Sequence, residues 1–201
     1  PQVSIRLHEE NSFNQQKVIT SAVRDLALKN VVDFIFPLDA DEFLFPNNPF
    51  EISEKITNSL QVDEAGLIPW ETYCPVSLEY FSSESPLYSC FKKRSKEPDQ
   101  YYKVVLGNEY AKDCVITMGN HFAFSKNRAS PEKILSLKVQ HVPVRSPQQI
   151  VRKVLMGSYA MSLKDDRMPG EGWHWDEIAK LIRRNNYDLT LQQISEIALN
   201  Y

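Results

Sequence analysis

A chain of 201 residues with 42% hydrophobic and 24% charged side chains fits one globular domain with a small appendage. Its net charge of −3 gives no electrostatic reason to expect a nucleic-acid partner. No apolar run of about 18 residues is present to encode a transmembrane helix.

Val3-Ser-Ile-Arg-Leu7 alternates apolar and polar residues, the pattern of a half-buried strand. Val18, Ile19, Ala22, Val23, Leu26 and Ala27 recur at helical spacing, with Asn30 as a stop. Val31 to Leu38 is almost continuously apolar, as in a central strand covered on both faces. Strand, helix and strand in that order predict a parallel βαβ unit. The apolar run ends on Asp39-Ala-Asp41-Glu42 and resumes as Phe-Leu-Phe45. The carboxylates are thus expected at the C-terminal end of a central strand, where open α/β sheets place their ligand crevice. Asn48-Pro49 reads as a helix start, with Ile52, Ile56 and Leu60 on one side. Gly66 to Trp70 reads as a strand, and Phe81 to Gln100 as an exposed loop. Tyr101–Leu106 and Cys114–Met118 are short predicted strands, the second leading to Gly119-Asn-His121. Leu135, Leu137, Val139 and His141 share one face of an alternating strand. Ser146-Pro-Gln-Gln149 opens a helix, and Pro169 to Trp175 is a loop rich in glycine and aromatics. Helices over about 176–184 and 190–199 close the chain, the last with a Thr-x-x-Gln cap. Cys74, Cys90 and Cys114 form no Cys-x-x-Cys pair and suggest reduced thiols, hence a cytoplasmic setting. The start of the chain lacks an initiator Met and a signal-peptide layout, so a fragment of something longer is expected.

The acidic trio is the main chemical signal. Three adjacent carboxylates repel one another, and a divalent cation removes that cost. On an extended backbone Asp39 and Asp41 would face the same way, with Ala40 pointing into packing. Two convergent oxygen donors suit Mg²⁺ or Mn²⁺; the alternative is a solvated acidic turn. His141 and Arg145, beside a helix start, could hold a diphosphate, or be a core histidine and a surface ion pair. Lys153 either reaches phosphate or lies on the helix's wet face. His121 can act as acid, base or ligand, or be structural. Glu71 is a candidate base or sugar-hydroxyl partner, or a solvated loop carboxylate. Trp70, Trp173, His174 and Trp175 could form a platform for a sugar ring, or pack in the core.

A hydrophobic strand ending in Asp39-Ala-Asp41-Glu42-Phe43 resembles the metal-and-nucleotide motif of inverting, GT-A-type glycosyltransferases. It is most similar to the family 2-like subgroup with a Leu-Asp-x-Asp-Glu-Phe stretch. Ile68-Pro-Trp70, Gly119-Asn-His121, and His141-x-Pro-x-Arg145 with Gln148 or Gln149, Lys153 and Gly157 follow in the expected order, with a similar segment near Trp173. The resemblance spans about residues 15–175. It implies a partial GT-A fold: Rossmann-like α/β, a mixed and mostly parallel sheet flanked by helices, with a C-terminal helical segment. The corresponding boundaries are a transferase-like domain over 1–165, N-terminally truncated, and a loop with short helices over 166–201.

The resemblance further implies a nucleotide-diphospho-sugar donor and a carbohydrate or other hydroxyl acceptor. Asp39 and Asp41 would hold Mn²⁺ or Mg²⁺, with His141 as a further ligand. Glu42, Trp70, Arg145, Lys153 and Trp173 would bind substrate, and Glu71 or His121 would act as base. Nucleic acid is not an expected partner, and peripheral membrane association is compatible with the sequence. Two rivals remain: a non-catalytic carbohydrate- or partner-binding module of the same fold, and a haloacid-dehalogenase-type phosphohydrolase. Against the second, Phe43 stands where that family wants a small β-branched residue.

Overall fold

The protein, as a computed structural model, is described over residues 14–75, 91–94 and 100–200 together with Val3, Ile5 and Leu7, excluding the side chains of 199 and 200. The elements in chain order begin α1 (Gln15–Ala27), β1 (Phe34–Ile35), β2 (Glu42–Phe45), α2 (Pro49–Thr57), β3 (Ala65–Pro75) and β4 (Phe91–Lys93). There follow β5 (Tyr102–Gly107), α3 (Asn108–Ala111), β6 (Val115–Ile116), β7 (Ala123–Phe124), β8 (Lys133–Ile134) and β9 (Lys138–His141). The chain ends on α4 (Pro147–Ser162), α5 (Trp173–Arg184) and α6 (Leu191–Asn200). Contacts divide it into two units, 15–146 with 190–201, and 1–14 with 147–189.

The first unit is mixed α/β. Its main sheet has the order β1-β5-β3-β9-β2, with β4 and β8 also paired to β3. β3 runs parallel to β8 and β9, while the pairs β1/β5, β2/β9, β3/β4 and β3/β5 are antiparallel. The expectation of a mostly parallel sheet is therefore corrected for the described residues. β1 is also no central strand, since among the described residues it occupies one end of the order and pairs only with β5. The apolar run over 31–38 has a different cause. Ile35 packs into the cluster of Val23, Ala27, Val104, Leu106, Tyr110 and Cys114, whereas Phe34, Phe36 and Leu38 pack beside Ile56, Ile68, Val105, Leu135 and Val139. Serving both sheet faces needs continuous apolar sequence without a long ladder. Burying these side chains is the main force holding the sheet together.

Local signals fare well elsewhere. Asn48 caps α2, its Oδ1 accepting from the Phe50 N–H at 3.0 Å, with Pro49 at the first position. Thr190 and Gln193 form the reciprocal cap of α6, Gln193 Oε1 accepting from the Thr190 N–H at 2.9 Å and Thr190 Oγ1 from the Gln193 N–H at 3.3 Å. Leu135, Leu137, Val139 and His141 are all buried and alternate with less buried residues. Phe91–Lys93, expected in a loop, pairs with Tyr73–Pro75, while 81–90 and 95–99 lie outside the described residues. The half-buried strand expected at Val3–Leu7 is corrected where it is described: Val3, Ile5 and Leu7 are exposed and belong to no strand. Among the described residues no helix is long and apolar enough to cross a membrane.

In the second unit α5 begins at Trp173, three residues before the expected start. Gly172 precedes it in the left-handed region at φ 67°, where glycine carries no steric penalty. Gly157 on α4 is there because Trp175 is: a Cβ would stand 2.6 Å from the indole ring. Asp176 accepts from Ser158 Oγ at 2.8 Å and pairs with Arg167 at 2.6 Å, tying the intervening loop to both helices.

Candidate functional site

Residues 36–41 join β1 and β2, the two ends of the strand order, so the acidic segment is brought to strands that lie between them. It does not arrive extended. The Asp39 carbonyl accepts from the Glu42 N–H at 3.1 Å, closing a turn, and Ala40 is exposed. The two-residue alternation expected for Asp39 and Asp41 is thereby corrected: a turn sends them to different partners.

Glu42 opens β2 directly opposite His141 on β9, in antiparallel register, so both side chains leave the same face. Asp41 Oδ2 lies 3.8 Å from His141 Nε2. One ligand atom each from Asp41, Glu42 and His141 lies within 4.8 Å of the others, and all three residues are buried. Asp39, expected as a ligand, has other company. Its Oδ1 accepts from Gln15 Nε2 at 2.8 Å, and its Oδ2 pairs with Lys103 Nζ at 2.9 Å.

Lys103, on β5, is the residue the sequence reading missed. Its side chain is 1% exposed, yet it pairs with Glu42 Oε1 at 2.7 Å and donates to the Gly119 carbonyl at 2.5 Å. It also stands 5.5 Å from the centre of the Trp70 ring, a cation–π contact. A signal existed: one lysine in Tyr102-Lys-Val-Val-Leu-Gly107 shares a strand face with buried Val105. Burial pushes the Glu42 carboxyl above its ordinary range. The Lys103 ammonium and the Asp39 N–H pull it back only in part, and the Asp39 charge adds to the rise.

Trp70 binds the histidines together. Its ring stacks on His121 with centroids 5.4 Å apart and meets His141 edge-on at 4.2 Å. His121 Nδ1 lies 2.8 Å from the Tyr102 carbonyl, which can only accept. Nδ1 therefore carries the proton and Nε2 is left as the basic nitrogen. Burial holds the His121 imidazole below its usual value. The Lys103 charge acts the same way, against the Tyr102 carbonyl and the Asp39 charge. Gly119, at φ 72°, is required beside it, since a Cβ there would stand 2.6 Å from His121 Nε2.

The remaining expected residues are elsewhere. Glu71 alternates with Trp70 on β3 and faces the other side, pairing with Lys93 at 2.7 Å and with Lys138. Burial alone would raise its carboxyl, but the bonds from Lys138 and Lys93 outweigh that and hold it below the usual range. Arg145 is half-buried beyond β9. Lys153 and Trp173 belong to the second unit, Lys153 half-buried on α4 and Trp173 exposed at the start of α5.

Two carboxylates and an imidazole within ligand reach could hold a metal ion. The cluster also holds an orphaned acceptor. Asn120 is fully buried, its amide nitrogen lies 3.4 Å from Asp39 Oδ1, and its Oδ1 has no partner among the described residues. The residues present thus fit a bound cation. The chain matches no protein-family model, no curated protein and no solved structure.

Proposed function

We propose that the protein is a metal-dependent, inverting GT-A-type glycosyltransferase that moves a sugar from a nucleotide-diphospho-sugar to a hydroxyl acceptor. One observation carries the reading: the adjacent Asp41 and Glu42 and the sequence-distant His141 converge as a buried set of ligand atoms within 4.8 Å. The ordered motifs around Asp39–Phe43, Trp70, His121 and His141–Arg145 support it. So does a mixed α/β sheet with helices on its faces.

A divalent ion held by Asp41, Glu42 and His141 would supply charge stabilisation for the departing diphosphate. His121 is the base of the two candidates. Its neutral imidazole is oriented by the Tyr102 carbonyl and offers Nε2 to the acceptor hydroxyl. As the acceptor oxygen bonds to the anomeric carbon, its proton goes to Nε2, and the bond to the diphosphate oxygen breaks with its electron pair on the leaving group. Trp70, in ring contact with both histidines, would hold their orientation. Arg145, four residues past His141, is the guanidinium assigned to the diphosphate.

Calorimetric titration with several nucleotide sugars, with and without Mn²⁺, tests this. Metal-dependent tightening that disappears in Asp41→Asn is expected. Binding of sugar alone, indifferent to Mn²⁺ and to the substitution, sinks the transferase. A non-catalytic binding module is the second reading, favoured by Lys103, which already compensates part of the cluster's charge.

A further inference from the structure

An ammonium has three N–H donors, and Lys103 spends all three inside the cluster, on Asp39 Oδ2, Glu42 Oε1 and the Gly119 carbonyl. Against two donors on Glu42, Lys103 at Oε1 and the Asp39 N–H at Oε2, three reach Asp39. Its Oδ1 takes Gln15 Nε2 at 2.8 Å and Asn120 Nδ2 at 3.4 Å, and its Oδ2 takes Lys103 at 2.9 Å. Gln15 also accepts from the Gly119 N–H at 3.2 Å, so helix, turn and strand are tied around that one carboxylate. Asp41 lies instead toward His141. Beside Asp39, the buried Oδ1 of Asn120 has no partner among the described residues, which is costly for a buried acceptor.

We propose that Lys103 is a positioning residue that serves as the cluster's internal cation. By bridging Asp39, Glu42 and the Gly119 carbonyl it withholds Asp39 and shares Glu42 with a divalent ion held by Asp41, Glu42 and His141. The inference rests on the metal-dependent reading above and departs from one in which both aspartates of the motif bind metal. The contact with the Trp70 ring helps to fix the ammonium where it is.

The test is Mn²⁺ titration of the wild type, Asp39→Asn, Asp41→Asn, Lys103→Met and Lys103→Met/Asp39→Asn, with near-ultraviolet circular dichroism to check folding. With Lys103 present, Asp39→Asn should weaken Mn²⁺ less than about tenfold and Asp41→Asn more than about tenfold. In Lys103→Met the ion should bind more tightly, and adding Asp39→Asn should then cost more than about tenfold, because Asp39 has joined the ligands. The visible spectrum of bound Co²⁺, which reports the donor set, should be insensitive to Asp39→Asn only while Lys103 is there. If Lys103→Met does not fold, the Asp39→Asn and Asp41→Asn comparison decides alone. Equal losses in those two overturn the inference and leave the metal reading standing, as do equal affinities of Lys103→Met and its double variant. An ion bound by Lys103→Met but not by the wild type upholds the internal cation and overturns metal-dependent transfer. Binding by neither overturns both.

Discussion

The sheet carries two carboxylate–lysine clusters of the same chemistry on opposite faces. On the inner face Lys103 and Glu42 are each 1% exposed; on the outer face Lys93 and Lys138, bonded to Glu71, are 49% and 48% exposed. Strand alternation alone separates them, since Trp70 and Glu71 are neighbours in sequence and face opposite ways. Water makes the difference in energy. The outer lysines stay about half exposed, so their pairing with the 14% exposed Glu71 gains less. Lys103 and Glu42 have lost their hydration, so each depends on its partner.

The comparison can be broken most directly at its lysines. Lys103→Met leaves Asp39 and Glu42 without their ammonium and should cost about 3–5 kcal/mol in urea denaturation. Added Mn²⁺ should recover part of that loss by binding the folded state. A loss no larger than that of Lys138→Met would mean that burial does not distinguish the faces.

A smaller effect is expected from pH. The unfolded chain takes up a proton at His121 near pH 6.5, while the folded chain resists until lower pH because its imidazole is buried beside Lys103. This contribution is therefore intact above about 6.5 and is lost as pH falls through the window beneath it. His121→Phe should flatten that part of the stability curve, and an unchanged slope would place the titration elsewhere. His174 in the second unit is also depressed by burial, opposed by Asp176, so a residual slope remains in the variant.

The smallest effect belongs to the outer face. Glu71→Gln should change stability by less than about 1 kcal/mol, and raised salt should erase the difference. It should also leave Mn²⁺ affinity unchanged, whereas a Glu71 acting in the reaction centre would not allow this variant to keep full activity.

Much of this was legible in one dimension. The Asn48-Pro49 and Thr190-x-x-Gln193 caps depend on neighbouring residues, and they form as the chain order predicts. The burial of His141 with Val139 followed from period-two alternation. The strand containing Phe34 was misread because a run serving two cores looks like a central strand. Lys103 was overlooked because a strand lysine is ordinarily solvated, and its value depends on partners 64 residues away at Asp39.

The sequence by itself determined the local instruments: the caps, the alternation that buries His141, the glycines at 119 and 172, and an acidic segment between apolar stretches. Tertiary structure alone decided which carboxylate meets which cation. Asp39 and Asp41 are two residues apart and chemically identical, and the turn between them sends one to Lys103 and the other toward His141. Charge pairing falls off with distance and grows as water is excluded, and both quantities are set by the folded chain, not by spacing along it.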